Sequence, residues 1–367
     1  MNSLPERIAF ASYRNITVGT ARKFAAKGIS AADFFKLSAR TLASICCVRE
    51  DFFNDSRRKA ALEAARAEAT FVEENGVKVH FFDSPDFPVK LAECDDAPAM
   101  LYSFGNLEPQ RRHTVAIVGT RHCTPYGANV CSRLIEDLAA NVDDLEIISG
   151  LAYGVDIAAH RAALAAGIPT GAVLAHGLNT IYPADHRDDA RRIIREGGFI
   201  LTEYSSAAPV HKGNFLARNR IVAGLADVTI VVESDIRGGA MTTARIAAAY
   251  NREVMAVPGR ITDMYSRGCN HLLARREASP VRDAADIIEL MGWKAREKEG
   301  EQKTLPLLSD EQQGIADFLL QHPDAGVNDM CAHLGIPYPQ LSSLLFQMEL
   351  ENIVAALPGG RYALLMQ

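Results

Sequence analysis

The sequence predicts an α/β protein: a doubly wound, Rossmann-like parallel sheet with an N-terminal helical domain and a C-terminal winged helix. From residue 77 onward, short apolar runs alternate with helical segments, as expected for parallel strands that are covered on both faces. Residues 1–70 are rich in alanine at helical spacing and show almost no strand signal. Residues 305–367 have the pattern of three helices followed by a strand, a turn and a strand.

These patterns also give the domain boundaries. Ser30 is placed to cap a helix in the N-terminal part. Gly19 lies between two helical stretches, which suggests a helix–turn–helix or hairpin element. Alternatively, the cations in this stretch simply form a solvated basic helix face. The predicted domains are a helical domain of SAM or helix-hairpin type at 1–70, an α/β domain at 75–292, a linker at 293–304 and a winged helix at 305–367.

The apolar runs of the central region are four to six residues long, which fits buried strands and is too short for helices. The predicted strands are residues 115–118, 145–148, 170–175, 199–202, 228–232 and 254–257, and the predicted helices are 127–140, 155–166, 187–196, 219–225 and 242–250. In the tail, Ser309 and Gln312 form a capping box, and Gly335 ends the second helix. The remaining tail elements are a helix at 339–350 and strands at 353–357 and 361–365.

The charge is distributed unevenly along the chain. The formal net charge of −6 argues at first against a nucleic-acid partner. Residues 1–70, however, hold 12 Lys and Arg against 7 Asp and Glu, whereas residues 305–367 hold 1 against 7. The helix at 339–350 contains no Lys or Arg. Because a winged helix that reads duplex DNA normally presents a basic helix, we expect this one to bind protein instead.

The cysteine pattern and the apolar runs indicate the compartment. The seven cysteines include no Cys-x-x-Cys pair, which argues against a disulfide framework or a zinc ribbon. The N-terminus lacks the features of a signal peptide, and no apolar run approaches the roughly 18 residues that span a membrane. We therefore expect a cytoplasmic protein with no membrane partner.

Glycines and hydroxyl side chains follow the first two strands of the α/β domain. Ligands bind at the carboxyl ends of strands in a doubly wound sheet, so these loops are the first candidates for a site. Backbone N–H groups in such loops can bind an anion, although the glycines could also serve only to make tight turns. The candidate residues are Gly119, Thr120, Arg121, Ser149, Gly150 and Gly154.

The segment 212–225 combines cations with an aromatic residue. Lys212, Arg218 and Arg220 surround Phe215, which suits a phosphate backbone with a base stacked on the ring. Alternatively, Phe215 anchors a loop into the core and the arginines cap a helix.

A second turn of glycines and hydroxyl side chains follows the fifth strand, with Gly238, Gly239 and Thr242 as candidates. Residues 258–260 approach the same edge of the sheet, so four loops converge there with glycine plus arginine or threonine.

The sequence gives little indication of catalysis. Asp156 and His160 share a helix face and could be two metal ligands, but no third ligand is evident. An aspartate at the helix N-terminus and a hydrogen-bonded helix histidine explain the pair better. Glu203 and Glu233 end strands without an identifiable partner. We therefore predict no catalytic residue, no metal site and no cofactor, and we expect the protein not to be an enzyme.

Six motifs in order make the chain resemble the DprA/Smf DNA-processing family. They are VAIVGTR (115–121), SGLAYGVDIAAH (149–160), GLNTIYP (177–183), FLARNRIVAGL (215–225), RGGAMTTA (237–244) and VPGR (257–260). The resemblance implies a single-stranded DNA-binding protein of natural transformation and recombination that protects incoming DNA and helps load the RecA recombinase. It also implies a homodimer that forms through the Rossmann-like domain. By the same resemblance, Gly119 and Arg121 match the family's phosphate contact, and its basic-aromatic segment is matched by Lys212, Phe215, Arg218 and Asn219.

An alternative is a nucleotide hydrolase or nucleotide-binding protein of the LOG type, because RGGAMTT distantly resembles the Gly-rich loop of those enzymes. In this chain Met241 replaces the third glycine of that loop, and Arg245 stands where the catalytic glutamate would be. A cation in place of a carboxylate removes a general acid or base and adds a phosphate contact, which favours binding over hydrolysis.

Overall fold

The computed structural model describes residues 3–13, 16–111, 113–296, 308–323, 325–350, 353–357 and 359–364. The chain forms two compact units, Met1–Arg296 and Glu297–Gln367. Most of the predicted linker, 293–304, lies outside the described residues. No helix of the described part is long and apolar enough to cross a lipid bilayer.

The first unit begins with helices that pack against the edge of a sheet. Their bounds are α1 (Leu4–Ala11), α2 (Val18–Ala25), α3 (Ala31–Lys36), α4 (Ala39–Cys46) and α5 (Asp55–Asn75). Ser30 caps α3 through a capping box with Asp33, as the sequence predicts. Gly19 lies inside α2 rather than between two helices. Phe10, Phe24, Phe34 and Phe53 pack edge to face at the centre of this group.

The helical core extends onto the first two strands of the sheet. Phe81 and Tyr102, one from each of these strands, are buried in the same cluster as Phe34. Helix α5 continues to Asn75, past residue 70. The division of this unit into separate domains between residues 70 and 75 stays a prediction.

A nine-stranded sheet forms the centre of the first unit. Its strands are β1 (Lys78–Phe81), β2 (Met100–Gly105), β3 (His113–Val118), β4 (Leu145–Ser149), β5 (Thr170–Val173), β6 (Phe199–Thr202), β7 (Val228–Val231), β8 (Glu253–Ala256) and β9 (Ser279–Pro280). Their order is β1-β2-β6-β5-β4-β3-β7-β8-β9. The sheet is mostly parallel with an antiparallel edge, where β1 pairs with β2 and β2 pairs with β6. The six strands predicted from apolar runs are β3 to β8, and all pair in parallel.

Helices cover both faces of this sheet. They are α6 (Val89–Ala92), α7 (Pro125–Asn141), α8 (Val155–Ala165), α9 (Arg187–Arg195), α10 (Lys212–Leu225), α11 (Gly239–Ala249), α12 (Arg267–Ala274) and α13 (Ala284–Met291). Alternate residues of β3 point to opposite faces: Val115 and Ile117 pack with α7, α8 and α13, whereas Ala116 and Val118 pack with α10, α11 and α12. The predicted doubly wound fold is therefore confirmed.

The second unit is a winged helix with its own core. It contains α14 (Asp310–Gln321), β10 (Ala325–Gly326), α15 (Val327–Leu334), α16 (Tyr338–Leu350), β11 (Val354–Leu357) and β12 (Arg361–Leu364). Ser309 and Gln312 form the predicted capping box, and Gly335 ends α15 with a φ of 67°. Phe318, Leu341 and Val354 are buried in one cluster, so the three helices and the hairpin share a core.

Buried charges tie the strands together at the amino end of β3. The Lys90 ammonium donates to Asp227 Oδ2 at 2.6 Å, and the same oxygen accepts the Thr114 backbone N–H at 2.8 Å. Glu146 on β4 is buried nearby, with the Arg111 guanidinium 3.9 Å from its carboxylate. Burial raises the pKa of Glu146 to about 8, and Arg111 only partly offsets this shift.

We predict that Glu146 makes stability fall as pH rises from its ordinary pKa of 4.5 to about 8. In this window the folded chain holds a proton that the unfolded chain has released, so deprotonation favours unfolding. Glu146→Gln removes the proton, and its thermal unfolding midpoint should exceed that of the parent by a few degrees at pH 8.5 but not at pH 5. Glu253→Gln, on the exposed start of β8, is the control. Equal gains at both pH values would contradict the prediction.

Candidate nucleic-acid interface

The candidate site lies where the direction of the sheet topology reverses. From β3 the chain builds β4, β5 and β6 on one side, and it then returns through α10 to build β7 and β8 on the other side. The loops that follow β3 and β7 diverge to opposite faces, which leaves a crevice at the carboxyl end of the sheet. A cavity of about 720 Å³ occupies this crevice.

The loop after β3 supplies the floor of the cavity, and its position is fixed by backbone contacts. The Thr120 N–H donates to the Glu233 carbonyl at 2.6 Å, and the Val155 N–H donates to the Thr120 carbonyl at 3.1 Å. Gly154, at the start of α8, has a φ of 79°, and a side chain there would overlap the Thr120 carbonyl. Glycine at 154 therefore brings the start of α8 against residues 120 and 121.

Arg218 lines the base of the cavity and connects α10 to the ends of two strands. Its guanidinium donates to the carbonyls of Gly150, at 2.6 Å, and Val173. The residue is only 4% exposed, and burial lowers the pKa of its guanidinium. Burial also raises the pKa of the nearby Asp156, whose negative charge partly offsets the effect on Arg218. A side chain at Gly150 would overlap this guanidinium, so glycine is required there.

Helix α10 forms one wall, and its bounds differ from the prediction. The sequence predicts a helix only from residue 219, whereas α10 begins at Lys212. Lys212, Phe215 and Asn219 lie on the face of α10 that lines the cavity. The Phe215 ring contacts Tyr182 edge to face, with 5.8 Å between centroids, and the Arg121 guanidinium carbon lies 5.4 Å from the same ring. Phe215 is half-buried, so part of its ring remains open to a ligand.

Exposed cations surround the cavity. Arg121, Lys212 and Arg237 line it, and none of them has a carboxylate within 4.0 Å in the part of the chain that the structure describes. Two carboxylates also line the cavity, but Asp235 pairs with Arg267 at 3.0 Å and Asp156 is buried. The accessible charge of the cavity is therefore positive, which suits a polyanion.

The amino end of α11 closes the opposite wall. Gly238 is its N-cap residue and no side chain caps it, so the first backbone N–H groups have no side-chain partner. Gly238, Gly239 and Thr243 line the cavity there. A helix N-terminus with free N–H groups attracts anions, and Thr243 adds a hydroxyl beside it.

Most of the predicted site residues line this one cavity: Gly119, Thr120, Arg121, Gly150, Lys212, Phe215, Arg218, Asn219, Gly238 and Gly239. Four others do not line it. The Ser149 hydroxyl is buried and donates to the Ile117 carbonyl at 2.6 Å, and Gly154 supports the floor from below. Arg220 points elsewhere and donates to Glu203 at 2.5 Å, and Thr242 lies beside the lining residue Thr243. The DNA-binding roles of all these residues stay predictions.

Four aromatic and hydroxyl residues that line the cavity are absent from the predicted set: Tyr182, Ser234, Thr243 and Tyr265. Tyr182 belongs to the motif GLNTIYP, and Thr243 follows Thr242 in the motif RGGAMTTA. Both could therefore have been predicted as site residues from their positions in these motifs. Tyr265 stands alone in a loop with no motif, and only the fold brings it to the cavity.

The candidate metal pair and the strand-end carboxylates have structural partners. His160 is buried and its Nδ1 lies 2.7 Å from the Thr170 hydroxyl, and burial lowers its pKa to about 3. Glu203 pairs with Arg220, and Glu233 accepts the hydroxyl and the N–H of Thr124 at 2.6 and 2.9 Å. The described residues contain no group of three or more His, Cys, Asp or Glu side chains that could hold a metal ion.

Comparison with known protein families shows which family this chain belongs to. Residues 78–292 match the family model for DNA recombination-mediator protein A, and residues 299–360 match the DprA winged helix domain. The chain belongs to the DprA/Smf family. The family match covers the cavity and all the loops that line it.

Several relatives and solved structures of the family are similar to this chain. The putative DNA processing protein DprA of Mycobacterium tuberculosis is 36% identical over 277 residues, covering 74% of this chain and 70% of that protein. Protein Smf of Escherichia coli is 34% identical over 291 residues, covering 76% and 75%. The X-ray structure of DprA from Streptococcus pneumoniae has a TM-score of 0.66 at 31% identity, covering 79% of this chain and 98% of that one. A structure that concerns the single-stranded DNA binding mode of DprA from Helicobacter pylori has a TM-score of 0.52 at 32% identity, covering 58% and 95%.

We predict that Arg218 and Arg121 differ in what they contribute. Arg218→Met leaves two buried carbonyls unpaired and Asp156 without its neighbouring charge, which should cost about 3–5 kcal/mol of unfolding free energy. Arg121→Met changes an exposed side chain and should stay within about 0.5 kcal/mol of the parent. Urea unfolding followed by circular dichroism measures both. An Arg218 variant as stable as the parent would contradict the structural role.

Proposed function

We propose that the chain binds single-stranded DNA in the cavity at the carboxyl edge of the sheet, with little sequence preference, as part of DNA processing. The observation that carries the proposal is the set of exposed, unpaired cations beside an aromatic ring in one cavity. The similar structure of DprA from Helicobacter pylori concerns single-stranded DNA binding, which supports the same ligand. We propose further that the protein protects incoming strands during natural transformation and helps to load RecA onto them.

The chemistry of the cavity favours phosphates over bases as the main attachment points. Arg121 and Lys212 supply full charges, while α11 supplies backbone N–H groups and its positive dipole end. These groups bind any phosphate, so they give affinity without reading sequence. Phe215 supplies the remaining element, an apolar face on which any base can stack.

The same geometry argues against the hydrolase alternative. Arg245 is exposed on α11, and the cavity lining contains no glutamate in the described residues. The two lining aspartates are both engaged, Asp235 with Arg267 and Asp156 beneath the floor near Arg218. We infer that the chain binds nucleic acid without hydrolysing nucleotides, and an assay for free base released from nucleoside monophosphates tests this.

Assembly and the tail belong to the proposal as well. Exposed Ile236, Ile261 and Met264 lie in neighbouring loops after β7 and β8, which supports a homodimer through the Rossmann-like domain. Sedimentation velocity measures the oligomeric state.

In the winged helix, Tyr338 and Phe346 are exposed on α16, a helix with no Lys or Arg, which supports a protein partner rather than duplex DNA. A duplex shifted by the tail at moderate salt would contradict this assignment.

We predict that Arg121→Ala and Lys212→Ala each weaken binding to single strands of any sequence. Each variant should flatten the slope of log affinity against log salt by about 0.7, the value for one lost phosphate contact on a single strand. Fluorescence anisotropy of a labelled oligothymidylate at several salt concentrations measures the slope. Arg133→Ala, an exposed cation on α7 outside the cavity lining, is the control. Unchanged slopes in both variants would remove the cavity as the binding site.

We predict that Phe215→Ala weakens single-strand binding by about 1–3 kcal/mol, because it removes a base-stacking surface. Phe215→Trp keeps an aromatic face and should retain most of the affinity. The same anisotropy titration measures both variants, and thermal unfolding shows whether they fold. Loss of stability with no loss of affinity in the folded fraction would mean that Phe215 is a core anchor.

A further inference from the structure

A second pair of rings, His122 and Tyr265, has one member that lines the cavity. Tyr265 lies in the loop after β8 and lines the cavity, although it is absent from the motifs that indicate the site. Its ring is nearly parallel to that of His122, with 6.3 Å between centroids and 21° between planes. Both rings retain accessible surface, since His122 is exposed and Tyr265 is half-buried.

Backbone contacts hold the Tyr265 loop in place. The Tyr265 carbonyl accepts the Ser234 N–H at 2.6 Å, and the Ser234 carbonyl accepts the Gly268 N–H at 2.8 Å. Arg267 pairs with Asp235 at 3.0 Å across the same two loops. The tyrosine therefore stands on a loop anchored on both sides, so stacking against it would cost little ordering entropy.

The two aromatic pairs include residues that follow strands on opposite sides of β3, and Arg121 follows β3 itself. Tyr182 follows β5 and packs against Phe215, whereas Tyr265 follows β8 and packs against His122. Arg121 adjoins both pairs: it lies over the Phe215 ring and immediately precedes His122 in the chain. The order of groups along the sheet edge is thus aromatic, cationic, aromatic.

We propose that His122 and Tyr265 form a second base-stacking platform. This inference rests on the proposed function and extends it. A single strand crosses the carboxyl edge of the sheet from the Tyr182–Phe215 pair to the His122–Tyr265 pair. One base stacks at each end, and the intervening phosphates face Arg121. Stacking accepts every base, so the second platform adds affinity and direction without adding sequence preference.

The spacing of the strands gives the length of DNA that fills this path. From β5 to β8 the sheet has four inter-strand spacings of about 4.8 Å, or roughly 19 Å in all. A stacked strand advances about 3.4 Å per nucleotide, so roughly six nucleotides span the two platforms. An oligonucleotide of three residues can occupy one platform only, whereas one of eight residues can occupy both.

The proposal is tested on the full chain with eight-residue oligothymidylates, each carrying one 2-aminopurine at a different position. We expect binding to change the fluorescence most at two separated positions, one for each platform. Phe215→Ala should abolish the change at one position, and Tyr265→Ala should abolish it at the other. Tyr265→Ala should also weaken binding of the eight-residue strand at least fivefold while leaving a three-residue strand unaffected, and Tyr265→Phe should behave like the parent.

Controls separate this inference from the proposed function. Tyr126→Ala removes an exposed tyrosine that lies outside the cavity lining and should leave both positions unchanged. If Tyr265→Ala fails to fold, His122→Ala removes the other ring of the platform from an exposed position and should give the same loss. A single responsive position that only Phe215→Ala abolishes would overturn the second platform and leave the binding site intact. Absence of any binding by the parent chain would instead overturn the proposed function.

Discussion

The buried guanidinium of Arg218 is the interaction on which the site depends. It reaches from the centre of α10 to the carbonyls of Gly150 and Val173, which end or follow strands on the other side of the switch point. The contact fixes the rotation of α10 about its axis, because a buried bidentate donor tolerates little misplacement. That rotation turns Lys212 and Phe215 toward the cavity. A buried cation therefore sets the position of the exposed groups that line the cavity.

The site is otherwise built from backbone, which explains its content of glycine. Main-chain groups pass so close together that a side chain at Gly154 would collide with the Thr120 carbonyl, and a side chain at Gly150 would collide with the Arg218 guanidinium. The same close approach leaves N–H groups at the start of α11 facing the cavity. A ligand with many identical anionic groups suits such a surface better than a small molecule with one specific shape, because each phosphate meets a similar set of donors.

The sequence predicts the sheet edge well and the orientation of helix residues poorly. Glycines and cations after β3 and β7 lie where a doubly wound sheet requires, so Arg121 and Gly238 follow from topology alone. In α10, three cations within nine residues look like one cluster when the segment is taken for a loop. Once the helix begins at Lys212, residues 212, 215 and 219 share a face. The Arg218 guanidinium is instead buried at the base of the cavity, and Arg220 lies outside the cavity lining. Tyr265 could not be found at all, since no periodicity or motif marks a single loop residue that distant strands bring to the cavity.

The negative net charge is compatible with a polyanionic ligand for a related reason. The two carboxylates that line the cavity add little free negative charge, because Asp235 pairs with Arg267 and Asp156 is buried near Arg218. The excess of acidic residues lies in the separate unit 297–367, which holds 10 Asp and Glu against 3 Lys and Arg, whereas residues 1–296 hold 35 against 36. A phosphate at the sheet edge contacts Arg121, Lys212 and backbone N–H groups, whose local charge is positive. The whole-chain charge limits non-specific attraction over long distances, which leaves contact geometry in the cavity to decide where a strand binds.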